Sequence, residues 1–227
     1  MPEIEPVVET ARVVLIGRSP LGRDDAFLFD HAMRVMRVAG RLSACDEVRS
    51  WRINRFALQA AALFHQAATV QLDEERRTST VYAAATMSAE DVKEYSAELA
   101  GDRLQGKVPP RQLDLIQEII RRAHDASIDL AEAKILSDAD SLDDIGALGV
   151  WRDLRRYILE GRAVEDTVRA WRRREQYGYW EARVRDAFNL DTARRLAERR
   201  LGAARAFMQQ LEAEFEASDL PDAEEDS

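Results

Sequence analysis

What this sequence lacks narrows it quickly. Cys45 is its one cysteine, so no disulfide can form within the chain, and a reducing compartment such as the cytoplasm suits it. No apolar run approaches the roughly 20 residues that a membrane-spanning helix needs. The nearest, Val13-Val14-Leu15-Ile16, follows the acids Glu3, Glu5 and Glu9, where a signal peptide would be basic. It is expected to be a short strand or buried N-terminal segment of a cytoplasmic protein. Proline and glycine are sparse, six and ten. Ala, Leu, Glu and Arg dominate instead, and with 46% hydrophobic residues that balance predicts an all-α protein with a full core. Lysine is scarce too, three against thirty arginines, a ratio that says little about any site.

The net charge of −9 is unevenly spread: −7 over residues 1–150, +6 over 151–205 and −8 over 206–227. A basic stretch meets nucleic acid only if its charge lies on one face, and Asp153, Glu160, Glu165, Glu175 and Asp186 interrupt this one. Helix faces laced with i,i+4 ion pairs are the expected reading, with nucleic acid not an expected partner. Five acids and no base in 218–227 predict a disordered acidic tail.

Gly17, Pro20 and Gly22 predict an irregular N-terminal segment over 1–22, followed by one helical domain over 23–217. Helical spacing predicts a helix opened by Asp24 or Asp25 and running to Ser43, then helices over 51–69, 88–100 and 109–127. Further helices are predicted from Asp129 through an aspartate-rich stretch, over 147–160 up to Gly161, over 164–188 with a break at Gly178, and over 191–217. Residues 70–87 are mixed. The three histidines of the chain, His31, His65 and His124, all fall inside predicted helices. A single imidazole on an apolar helix is usually a satisfied core group. Three of them ahead of Ser137–Trp151 say more. That stretch gathers Asp138, Asp140, Asp143 and Asp144 within seven positions, and like charges so close call for a metal ion or nearby arginines. Imidazole nitrogens with carboxylate oxygens suit Mn, Fe, Zn or Ni, and such a metal can activate water and hold a phosphoryl oxygen. Gly146 and Gly149, just beyond, end a helix or let two helices approach closely.

The order of these residues resembles a known family. His31 with Arg34-Val35, then Ala61-Ala62-Leu63-Phe64-His65, then His124, then Asp138-Ala-Asp140-Ser-Leu-Asp143-Asp-Ile-Gly146-Ala-Leu-Gly149-Val-Trp-Arg152 is similar to the HD-domain phosphohydrolase superfamily. The likeness is greatest to small bacterial HD proteins, whose C-terminal helix the stretch from Asp191 to Arg200 also resembles. It spans about residues 24–215. The resemblance implies an all-α, HD-domain-like helical bundle that hydrolyses a nucleotide or related phosphate ester with a divalent metal (Mn, Mg, Fe, Ni or Zn). It implies His31, His65, the residue at 66 and Asp140 as metal ligands, and Asp138 as an aid to proton transfer. His124 would sit beside the metal and contact substrate phosphate or a second ion, with Arg34 and Arg152 as basic positions near the pocket.

One position departs from the pattern. The doublet that names the family is His-Asp, and here it reads His65-Gln66. An amide oxygen can ligate, but it brings no charge and bridges two metals poorly, so a weakened, mononuclear site is expected. The other class of reading is a catalytically inactive HD fold used for ligand binding or protein interaction, with His65, Gln66 and Asp140 as a hydrogen-bonded core. A homo-oligomer would show itself by an exposed apolar face on a C-terminal helix.

Overall fold

The computed structural model describes residues 3–19, 21–70 and 88–220. Residues 71–87 of the mixed stretch, the breaker Pro20, residues 1–2 and residues 221–227 of the expected tail lie outside them. Ten α-helices and one two-stranded antiparallel ribbon are found among the described residues, as the scarcity of proline and glycine predicts. By internal contacts the chain divides into two compact units, Met1–Asp140 and Ser141–Ser227.

The first unit opens on α1 (Glu5–Leu15), where the sequence predicted irregular chain. Pro6 sits in the first turn, where its missing N–H costs nothing, and Val7, Ala11 and Leu15 bury one face at i, i+4, i+8. The breakers act later: Gly17–Arg18 (β1) pairs with Asp24–Asp25 (β2). Val13, expected in a buried segment, is 80% exposed. Next come α2 (Phe27–Leu42), a short 3-10 turn at Asp46–Val48, and α3 (Arg55–Phe64). The helices α4 (Ala89–Leu104), α5 (Pro110–Arg122) and α6 (Ala131–Asp143) follow, α6 ending three residues into the second unit.

The first unit is built around α3, which packs against α1, α2, α4 and α5. Eight of its ten residues are buried, as expected of a helix that is apolar on nearly every side. Its alanines at 57 and 60–62 let neighbours come close, while Leu58, Leu63 and Phe64, fully buried, each contribute roughly 1.5–3 kcal/mol. Asn54 fixes its start. The Asn54 side chain accepts the Ala57 N–H at 3.1 Å and donates to Gln112 at 2.8 Å, while its backbone N–H donates to buried Glu132 at 2.6 Å. The expected start at Ser88 is a full capping box with Asp91.

The second unit holds α7 (Ala147–Leu159), α8 (Val164–Gln176), α9 (Tyr179–Asp186) and the long α10 (Asp191–Glu216). The helix predicted over 164–188 is broken at Gly178, which takes a left-handed conformation. The spine is α10, burying Ala193, Ala197, Leu201, Ala204 and Met208 against α7, α8 and α9. The arginines of this basic segment meet carboxylates between helices as well as at i,i+4. Arg205 grips Glu175 with two bonds of 2.9 Å, Arg172 bonds Glu212 and Glu216, and Arg169 pairs with Glu165 at 2.7 Å.

Candidate metal centre

His31 lies on the core stripe of α2 with Val35, Ala39 and Leu42, and is itself buried. His65 is not inside a helix, because α3 ends at Phe64 and His65 is its C-cap. Ending there serves the ring. Its Nδ1 donates to the Ala62 carbonyl at 2.8 Å, the geometry that fixes a ligating imidazole's orientation and leaves Nε2 facing the opposite way. Likewise α5 stops at Arg122, and His124 stands in the loop beyond it with a φ of +62°. A non-glycine residue there costs on the order of 1–2 kcal/mol. The surrounding bonds hold it: the His124 N–H donates to Ser137 Oγ at 2.8 Å, and the next residue, Asp125, accepts from Lys93 at 2.6 Å.

These three rings meet on one carboxylate. Asp140 Oδ1 lies 3.3 Å from His31 Nε2 and 3.2 Å from His65 Nε2, and the two nitrogens are 3.3 Å apart. Its other oxygen, Oδ2, is 3.0 Å from His124 Nε2. Burial by itself would push the Asp140 carboxyl up, but the His65 charge and hydrogen bonds from His124, His31 and His65 hold it well below the usual value. His31, His65 and Asp140 thus form a group able to hold a metal ion.

The dimensions fit that use. An ion about 2.0–2.1 Å from each of three donors at tetrahedral angles spreads them about 3.3–3.4 Å apart, close to the observed triangle. The chemistry fits too. The lone pairs of two imidazoles and an anionic oxygen facing one another require either a cation among them or protons on the rings.

Gln66 is half-buried beside this group, its Nε2 in a long contact of 3.5 Å with Asp140 Oδ1. Asp138 is fully buried but lies outside the group. Two residues along a helix is roughly 200° around it, so Asp138 and Asp140 leave opposite sides of α6. Arg34 is half-buried one turn after His31 on α2. Arg152 belongs to the second unit, where it meets Asp144 at 2.7 Å and Asp143 at 3.4 Å. Arg183 takes the other oxygen of Asp144 at 2.8 Å. The aspartate cluster therefore finds both kinds of counter-charge: imidazoles for Asp140, arginines for Asp143 and Asp144.

Two groups that organise the centre escaped the sequence reading. The Ala62 carbonyl carries no residue-type signal at all. Ser137 did carry one, since it lies three residues before Asp140 and so shares its face of α6.

The HD domain family profile matches residues 28–145. No curated relative matches the chain by sequence. Among solved structures, Bacillus subtilis YpgQ in complex with ADP is similar at 20% identity and a TM-score of 0.59, covering 96% of this chain and all of that one. The Lin1889 protein of Listeria innocua is similar at 20% identity and 0.58, covering 96% and 99%. A predicted HD superfamily hydrolase from an uncultured Thermotogales bacterium is similar at 22% identity and 0.55, covering 94% of each. None of the described helices is long and apolar enough to cross a membrane. With a profile match over just more than half its length, and with histidines from three separate segments closing on one aspartate, the chain belongs to the HD domain family.

Proposed function

We propose that this protein is a metal-dependent phosphohydrolase acting in the cytoplasm on a nucleotide or related phosphate ester, with a weak, mononuclear site. The triangle of His31, His65 and Asp140, with edges of 3.2–3.3 Å, carries the proposal. The ADP bound by YpgQ, a protein of the same fold, supports the substrate class. A divalent cation held there, Mn, Mg, Fe, Ni or Zn, would polarise a phosphoryl oxygen and supply hydroxide near neutral pH.

The side chains divide the remaining work. His65 offers Nε2 because its Nδ1 is committed to Ala62. Asp140 supplies the single negative charge of the set and is oriented from behind by His124. The His124 side chain is 42% exposed, so substrate phosphate can reach its ring, and Arg34 is the guanidinium assigned to the same phosphate. Arg152 braces Asp143 and Asp144. Gln66 contributes at most a neutral oxygen, and turning its amide end for end would present that oxygen to the ion.

One observation favours the second reading. As placed, the Gln66 amide points its nitrogen at Asp140, which closes a hydrogen-bonded cluster of the kind a silent HD fold would keep. Calorimetric titration of chelator-stripped protein with Mn²⁺, Co²⁺ and Ni²⁺, followed by a nucleotide phosphatase screen, separates the two. One ion per chain and metal-dependent turnover are expected, both lost in His65→Ala. Restoring the acid with Gln66→Asp is expected to tighten the ion about tenfold or more, since it returns a charge-bearing ligand. No ion in wild type and none in Gln66→Asp would leave the silent reading standing.

A further inference from the structure

Resting on the metal-site reading above, we propose that Ser137 is a positioning residue for that site and acts on it through His124. The Ser137 side chain is buried and uses its hydroxyl both as donor and as acceptor. Its Oγ donates to the Ala133 carbonyl at 2.7 Å and accepts the His124 N–H at 2.8 Å. The second bond anchors the backbone of His124 in the left-handed region, and from there the ring reaches Asp140 Oδ2 at 3.0 Å. A carboxylate's last torsion is broad and two-fold. A tether on one oxygen therefore narrows the plane of the group, and with it the direction in which the other oxygen faces His31 and His65.

The order of action is thus hydroxyl, loop, imidazole, carboxylate, ion. The Ser137 hydroxyl bonds the loop and its own helix, and influences the centre only through His124. A hydroxyl three residues before the ligand suits the task because it shares a helix face with Asp140. It can therefore hold the loop that must reach across to that face.

Ser137→Ala in the full chain tests this. Alanine is the best helix former, so the fold is expected to survive, and a melting curve checks it. The first readout is the ¹⁵N imidazole spectrum of metal-free protein at one fixed pH. His124 signals are expected to move toward those of a free, exposed ring, with smaller shifts at His31 and His65, which share the Asp140 carboxylate with it. Ser137→Thr, which keeps the hydroxyl, is expected to restore them. The second readout is Mn²⁺ affinity, expected to fall about tenfold in Ser137→Ala but not further when Ser137→Ala is added to His124→Ala. His124 signals unmoved by Ser137→Ala, or an equal affinity loss with and without His124, would overturn the proposal. Absence of Mn²⁺ binding in wild type would count against the metal reading alone, because the imidazole spectrum decides the role of Ser137 without any ion.

Discussion

Asp140→Asn is expected to abolish metal binding and leave the chain folded. The substitution keeps the shape of the side chain and one oxygen, and removes the negative charge of the group formed by His31, His65 and Asp140. Losing a partner behind a ligand typically costs 10–100-fold in affinity, so loss of the ligand charge itself is expected to cost more than about a hundredfold. Two measurements check it: the Mn²⁺ titration, and the rise in melting temperature that Mn²⁺ produces in wild type by binding the native state alone. Both should vanish.

The metal-free protein gives an independent reading of the same carboxylate. The neighbouring imidazoles hold the folded pKa of Asp140 well below the usual value. Its contribution to stability is therefore present above the unfolded value of about 3.9, and is lost as the pH falls through the folded one. Wild type should exceed Asp140→Asn in stability at neutral pH, and the difference should shrink below about pH 4. An unchanged Mn²⁺ affinity in the variant would remove Asp140 from the site.

The fold class was legible because it follows from composition and period. Helix ends followed as well at the cap of Ser88 with Asp91 and the breakers Gly161 and Gly178, whereas Asp24 and Asp25, expected to open the helix of His31, pair as β2 with Gly17–Arg18, and that helix starts at Phe27. Where no such mark exists, the sequence extended helices too far. The helices holding His65 and His124 were predicted to run to 69 and 127 and end at Phe64 and Arg122. The reason is physical, since their stop signals are tertiary. His65 turns out of α3 to reach the Ala62 carbonyl, and His124 is held past α5 by a hydroxyl from another helix. Both departures fall on residues at the candidate metal centre, where local propensity yields to tertiary contacts. Conversely, α1 forms where an irregular segment is expected, because the breakers Gly17, Pro20 and Gly22 begin only after its apolar stripe at 7, 11 and 15 has ended. Asp140 lies within 3.3 Å of a ring nitrogen of each histidine, and spacing alone could not single it out from the four aspartates. The resemblance to HD proteins did so, by the frame in which it sits.

Gly149→Ala is expected to be the most destabilising single methyl in the second unit, although alanine is ordinarily the better helix residue. A Cβ at Gly149 would stand 2.1 Å from the Asp144 carbonyl oxygen and 2.7 Å from its carbon. Those are backbone atoms of the turn that opens α7, so no side chain can swing aside. The whole start of the helix must shift instead. It has little room, because Gly146 just before it holds φ +101° and ψ −160°, a conformation essentially confined to glycine. A Cβ at Gly146 would meet Arg200 Cβ at 2.8 Å, while the Arg200 guanidinium bonds the Leu142 carbonyl at 2.5 Å. The turn is thus pinned from α10 as well. Overpacking of this kind costs roughly 1–3 kcal/mol or more, which for a chain of this size lowers the melting temperature by about 2–12 °C. Gly202→Ala supplies the control. It is the same change on α10, where an added Cβ meets nothing within 4 Å, and the gain in helix propensity is up to about 1 kcal/mol. Thermal melts of the two variants beside wild type should therefore move in opposite directions. A Gly149→Ala melt at or above that of wild type would mean that the close approach of α7 to the Asp144 carbonyl does not constrain this turn.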